Sequence, residues 1–209
     1  MKKNIYINTT DNIRISATIF SPATAVKASI LINSATAVRQ SYYQDFASFL
    51  CQQGYRVVTY DYRGIGDSSI ANSRDPRLTM QNWGEKDFAE VLAYLQNEYP
   101  ESDWHCIGHS VGGQIIGLAN NNLAIKSVYC VSAQSGYWKH WQSLHKLRML
   151  LMWHLIIPSL ANLLGKVPGL FLGGESLPAG IAKQWATGAD IKTILLILKA
   201  NRSEIISTN

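Results

Sequence analysis

An α/β fold on a mainly parallel sheet is what this 209-residue chain predicts, and three observations predict it. Residues 5–8 and 13–20 alternate apolar and polar side chains, the pattern of strands with one wet face. Residues 28–33 (ASILIN), 56–60 and 104–107 are short, largely apolar runs, the pattern of strands covered on both faces. Between those runs lie segments of helical period, which supply the crossovers that parallel strands need.

Taken in order, residues 5–8 and 13–20 make an antiparallel hairpin about a turn at 9–12. Residues 21–27 form a surface turn, and 28–33 is the first buried strand. Residues 42–53 have helical spacing at Phe46, Phe49 and Leu50, with Gly54 as the C-terminal stop. The strand 56–60 follows, then a loop to about residue 82. Residues 83–99 place Phe88, Val91, Leu92 and Leu95 on one helical face, with Pro100 just beyond. Residues 104–107 form a strand, 111–120 a helix of small and apolar residues, and 127–131 a further strand.

Hydrophobic residues make up 47% of the chain and charged ones 16%, the balance of a protein that buries a core. The net charge of +5 is spread without a basic run, which argues against a nucleic-acid partner. Cys51, Cys106 and Cys130 are isolated and odd in number, as expected of reduced core residues in a cytoplasmic protein rather than of a disulfide or metal framework. Lys2 and Lys3 are followed by no apolar stretch, so no secretory signal is expected. Residues 149–165 carry no Asp, Glu, Lys or Arg but include His154, Pro158, Ser159 and Asn162. That is short of the roughly 20 apolar residues of a membrane span. The segment reads as a buried or lid helix, with shallow membrane contact as the lesser alternative, and no integral span is expected.

The motif with most chemical content is Gly108-His109-Ser110-Val111-Gly112, which fits G-x-S-x-G. In a nucleophile elbow, a serine sits on a sharp strand-to-helix turn with its hydroxyl exposed, and glycines on either side admit the close backbone approach. A strand before the motif and a helix after it are the context it requires. Ser110 is the candidate nucleophile, and the backbone amide of Val111 the first candidate oxyanion donor.

Together with Asp61-Tyr62-Arg63-Gly64-Ile65-Gly66-Asp67-Ser68, which looks like a D-x-R-G-x-G-x-S loop, this order of parts resembles the α/β-hydrolase family over roughly residues 5–185. The stretch Ile32-Asn33-Ser34-Ala35-Thr36-Ala37 with Tyr42-Tyr43, then Gly174-Glu175-Ser176-Leu177-Pro178 and Gln184-Trp185-Ala186, are similar to a group of bacterial predicted hydrolases related to the serine aminopeptidase and monoacylglycerol lipase types. The resemblance implies an α/β-hydrolase fold acting on carboxylic ester, thioester or small amide bonds, without metal or organic cofactor. It also implies a second oxyanion amide in the loop after the strand ending at Asn33. Ala35 is the candidate, Asn33-Ser34 standing where many relatives have His-Gly.

The acid and base are unassigned and expected to be absent. The fold's chain order is Ser, then Asp or Glu, then His. Beyond Ser110 the carboxylates are Glu175, Asp190 and Glu204, and no histidine follows His154. His105 lies in the elbow strand, His109 adjoins the serine, and His140, His145 and His154 fall in an inserted segment at 137–172. That segment resembles a cap, whose Trp138, Trp141 and Trp153 either line an apolar pocket for an acyl substrate or pack as a helix pair. The division expected is a core at 1–136, a cap at 137–187 and an atypical tail at 188–209, with the family's last strands missing. Across 188–197 (GADIKTILLI) codon degeneracy permits a neighbouring frame spelling WCRYKNYFID, a family-like run, so a one-base deletion is expected to have replaced the C-terminal part. A serine hydrolase impaired by its missing base is the first reading; a non-catalytic remnant or binding protein on the same fold is the alternative.

Overall fold

The computed structural model describes residues 1–133 and 137–188; the expected tail at 188–209, with Asp190 and Glu204, lies outside the described residues apart from Gly188. Six strands form one sheet: β1 (Lys2–Asn8), β2 (Arg14–Phe20), β3 (Ser29–Asn33), β4 (Arg56–Tyr60), β5 (Trp104–His109) and β6 (Ile125–Val131). Their spatial order is β1-β2-β4-β3-β5-β6. β1 and β2 pair antiparallel, and β2 meets β4 antiparallel. The β4-β3, β3-β5 and β5-β6 pairs are parallel, as the uninterrupted apolar runs predict.

Helices cover both faces. On one face α1 (Gln44–Gln52), entered through a 3₁₀ turn at Gln40–Tyr43, packs Tyr43 and Ala47 on Ile30, Ile32 and Val57. Here the expected helix face is corrected. Phe46 and Phe49 are exposed, whereas Tyr43 and Ala47 are buried and Leu50, as expected, packs partly buried beside them with Cys51. Small Ala47 lets the helix approach the sheet, whereas either phenylalanine in its place would hold it off. On the other face lies a long rod, α2, made of Met80–Asn82, a π-helical stretch Trp83–Phe88 and Ala89–Glu98. Its Phe88, Val91, Leu92 and Leu95 are all buried, as the spacing predicts.

The loop after β4 locks rod to sheet. Arg63, fully buried, sets its Nε 2.7 Å from Asp87 Oδ1 on α2 and its Nη1 2.7 Å from Asp11 in the hairpin turn. Trp83 donates from its indole N–H to the Arg63 carbonyl at 3.1 Å and stacks on Tyr62 with centroids 4.6 Å apart. The loop's Asp61 carboxylate accepts the amides of Gln40 (2.7 Å) and Asp67 (3.1 Å), and burial raises its pKa from the ordinary carboxylate value. Its hydrogen bonds are thus spent on holding two loops together.

After β6 the chain forms α4 (Ser143–Leu164), α-helical except for a π-helical stretch at Met152–Ile156, then the paired β7 (Lys166–Val167) and β8 (Leu177–Pro178) and finally α5 (Ala179–Gly188). The elbow helix α3 (Val111–Gln114) is shorter than expected and tightens into a 3₁₀ turn at Ile115–Leu118. The apolar segment expected at 149–165 is longer than its sequence limits suggest. It begins at Ser143, spans 22 residues and is long and apolar enough to cross a membrane by length and composition. Cys130 also departs from expectation, lying exposed on β6, while Cys106 is buried and all three thiols are free.

Candidate active site

The parallel strands deliver their following residues to one edge of the sheet, and backbone strain collects there. Ala37 after β3, Ser110 after β5 and Ser132 after β6 all have positive φ, at 59°, 53° and 51°. For non-glycine residues such conformations cost on the order of 1–3 kcal/mol each, and they persist only where surrounding contacts impose them. In open α/β sheets this carboxyl edge is where ligands bind.

Ser110 has φ 53° and ψ −120°, between the last residue of β5 and the first of α3. Its amide donates to Val131 O on β6 at 2.8 Å, and its carbonyl accepts the Gly113 amide at 3.1 Å. The bend is compact enough that side chains are excluded around it. A Cβ on Gly108 would stand 2.4 Å from the Gly113 Cα, and one on Gly112 would stand 2.4 Å from the Asn33 carbonyl oxygen. Both glycines of the motif are therefore steric requirements. Ser110 itself remains partly exposed. Val111 opens α3, so its N–H has no acceptor within the helix.

The loop after β3 is pressed against this bend. Buried Asn33 donates from Nδ2 to the Gly112 carbonyl at 3.0 Å and accepts the Tyr60 hydroxyl at 2.8 Å. Farther along, the Glu175 amide donates to the Ala37 carbonyl at 2.8 Å, and the Glu175 carboxylate pairs with Arg39 at 2.7 Å. Glu175 is engaged there as a loop clamp.

Ala35 is placed differently from expectation. Its N–H is not open but donates to the Tyr43 hydroxyl at 2.9 Å. The same hydroxyl lies 2.9 Å from Nδ1 of His109, and the two rings meet edge to face with centroids 6.0 Å apart. Burial pushes the Tyr43 phenol up to about 12. Beside Ala35, the hydroxyls of Ser34 and Thr36 are buried without a partner among the described residues. Tyr43 is the residue that spacing analysis missed as a site element. The series Tyr43, Ala47, Cys51 at i, i+4 and i+8 was the signal that it faces the sheet.

None of the histidines hydrogen-bonds Ser110. His105 bonds Ser127 Oγ at 2.7 Å, His109 is taken by Tyr43, His140 packs on the Tyr137 ring, and His145 and His154 are exposed. Trp153 is buried in the main core with its ring edge on Trp185, Trp141 is exposed, and the Trp138 side chain lies outside the description. Trp153 is thus a core residue, because α4 turns it toward α5 and the body. No group of three or more potential metal ligands occurs among the described residues.

The family model described as alpha/beta hydrolase fold matches residues 30–155, which run from β3 through the Asp61 loop and the elbow into α4. Among solved structures, a soluble variant of monoglyceride lipase from Saccharomyces cerevisiae, bound to a substrate analogue, superimposes with a TM-score of 0.66 and 16% identity over 91% of this chain and 68% of that one. DcsB in complex with its substrate analogue gives 0.60 and 20% over 95% and 77%. A highly thermostable carboxyl esterase from Bacillus coagulans, in complex with glycerol, gives 0.59 and 13% over 91% and 73%. At these identities the likeness is one of fold, and the chain spans about two thirds to three quarters of each of those chains. No curated protein matches the chain.

Proposed function

The chain belongs to the α/β-hydrolase family, and from that premise we propose that it is a serine hydrolase cleaving carboxylic ester, thioester or small amide bonds through Ser110. The observation that carries this reading is the backbone of Ser110: a strained, partly exposed serine between a parallel strand and a helix, with its neighbours reduced to glycine by contact. Ser110 Oγ attacks the acyl carbon, and the carbonyl electron pair moves to oxygen. The resulting oxyanion is held by the Val111 amide on one side and by the loop bearing Ala35 on the other. Collapse, with the serine proton carried by solvent to the departing alcohol, thiol or amine, leaves an acyl-serine, which water cleaves to the acid and free Ser110.

The Ser110 proton needs an acceptor, and no described histidine bonds that hydroxyl. Turnover by this chain is accordingly expected to be slow. An oxyanion hole and substrate binding without a working triad still give roughly 10³–10⁴-fold catalysis over water. The apolar cap favours an acyl substrate with a hydrocarbon or aromatic tail, and the free thiols favour a reducing, cytoplasmic setting. The missing imidazole also favours a second reading, a non-catalytic binding protein on the same fold.

A fluorophosphonate probe separates the two. It is expected to label the folded wild-type protein on Ser110, and Ser110→Ala is expected to erase the label without changing the thermal midpoint. Folded protein that takes no label under prolonged exposure would leave the binding reading in possession.

A further inference from the structure

The Ala35 amide carries one hydrogen, and the Tyr43 hydroxyl holds it at 2.9 Å. The Ala35 amide is therefore already engaged, and the oxygen that engages it is the phenol's. The oxygen of Tyr43 sits between the Ala35 loop and His109, the residue immediately before Ser110, so it bridges the two walls of the bend.

We propose that Tyr43 is a catalytic residue whose hydroxyl replaces the Ala35 amide as the second oxyanion donor, with His109 as the positioning residue that aims its proton. The proposal rests on Ser110 being the nucleophile. A phenol oxygen has two lone pairs and one hydrogen. The Ala35 N–H takes one lone pair, and His109 in its Nδ1–H form takes the other. The Tyr43 hydrogen is then free of both neighbours and available to a third partner. Two donors feeding one oxygen polarise its O–H, which strengthens the bond it gives.

The phenol is a fixture and not a plug that swings aside. Tyr43 is 7% exposed and lies in the cluster of Ala47, Ile32 and Val57, with Tyr42 edge-on against its ring at 5.2 Å. Asn33, clamped to the Gly112 carbonyl, fixes the loop that holds it. Burial keeps the phenol protonated up to about pH 12, so the donor is present at any ordinary pH.

The test uses the full chain, with a fluorophosphonate for the labelling rate and phenylboronic acid as a tetrahedral oxyanion mimic. Tyr43→Phe is expected to slow labelling by roughly 10²–10³-fold, the range for loss of one oxyanion donor, and to weaken the boronate in parallel. 3-Fluorotyrosine at position 43, a stronger donor of the same shape, is expected to label at least as fast as wild type and to lose rate at high pH as its more acidic phenol ionises. A bracing role would leave that pH profile unmoved. Tyr43→Phe that labels as fast as wild type, or faster because the Ala35 amide is freed, would overturn the proposal while leaving Ser110 as nucleophile. Wild type that takes neither label nor boronate overturns the nucleophile and the Tyr43 role together. If Tyr43→Phe fails to fold, the fluorotyrosine protein decides alone, an unchanged rate and profile refuting the donor.

Discussion

The rod at 80–98 and the helix Ser143–Leu164 are built alike, each α-helical with a π-helical stretch inside it, yet they meet opposite fates. In the rod Trp83, Phe88, Val91, Leu92 and Leu95 are fully buried. In the later helix only Trp153, Ile157 and Ala161 are buried, while Leu144 and Leu163 are about four-fifths exposed, at 81% and 79%. The more apolar helix is the less covered one. Apolar content alone thus does not decide burial; a helix needs a partner surface, and the rod has a sheet beneath it and an ion pair to fix its depth. The later helix rests on α5 by one side and is held at its C-terminal end by Arg74, whose Nη2 donates to the Asn162 carbonyl at 2.9 Å.

The sharpest way to break this contrast is Arg63→Met. It leaves Asp87 buried without its cation, where breaking a buried pair costs about 3–5 kcal/mol. Urea unfolding is expected to show that loss as a fall in midpoint, and an unchanged midpoint would mean the ion pair does not set the rod. Phe88→Ala comes next. It empties a fully buried site, for an expected loss at the lower end of the 3–5 kcal/mol typical of such truncations, because Phe88 neighbours small Ala89 and the π-helical stretch can relax around it. Leu163→Ala sharpens the comparison from the other side. An exposed leucine is expected to change stability by no more than about 0.5 kcal/mol, and a loss near that of Phe88→Ala would show that something covers this helix in solution.

Much of the site was legible from local pattern. β3 declared itself because a strand covered on both faces must be apolar along its length, and the β5-Ser110-α3 bend declared itself because Gly108 and Gly112 have no room for a side chain. The phase of α1 was misread since Phe46 and Phe49 are larger than Ala47 and look more core-like. Size does not reveal which side of a helix meets the sheet. The engagement of Ala35 by Tyr43, and of Tyr43 by a histidine 66 positions away, had no local signal.

The sequence by itself determined which segments form the six-stranded sheet, that the chain bends sharply after the fifth strand, and which serine occupies that bend, since each follows from steric and hydrophobic rules acting over a few residues. The tertiary structure alone decided which amides remain open, where each histidine is engaged and which apolar helix is covered. Those depend on contacts between residues tens of positions apart, made only when the sheet orders its strands β1-β2-β4-β3-β5-β6 and brings the loop after β3 against the bend after β5.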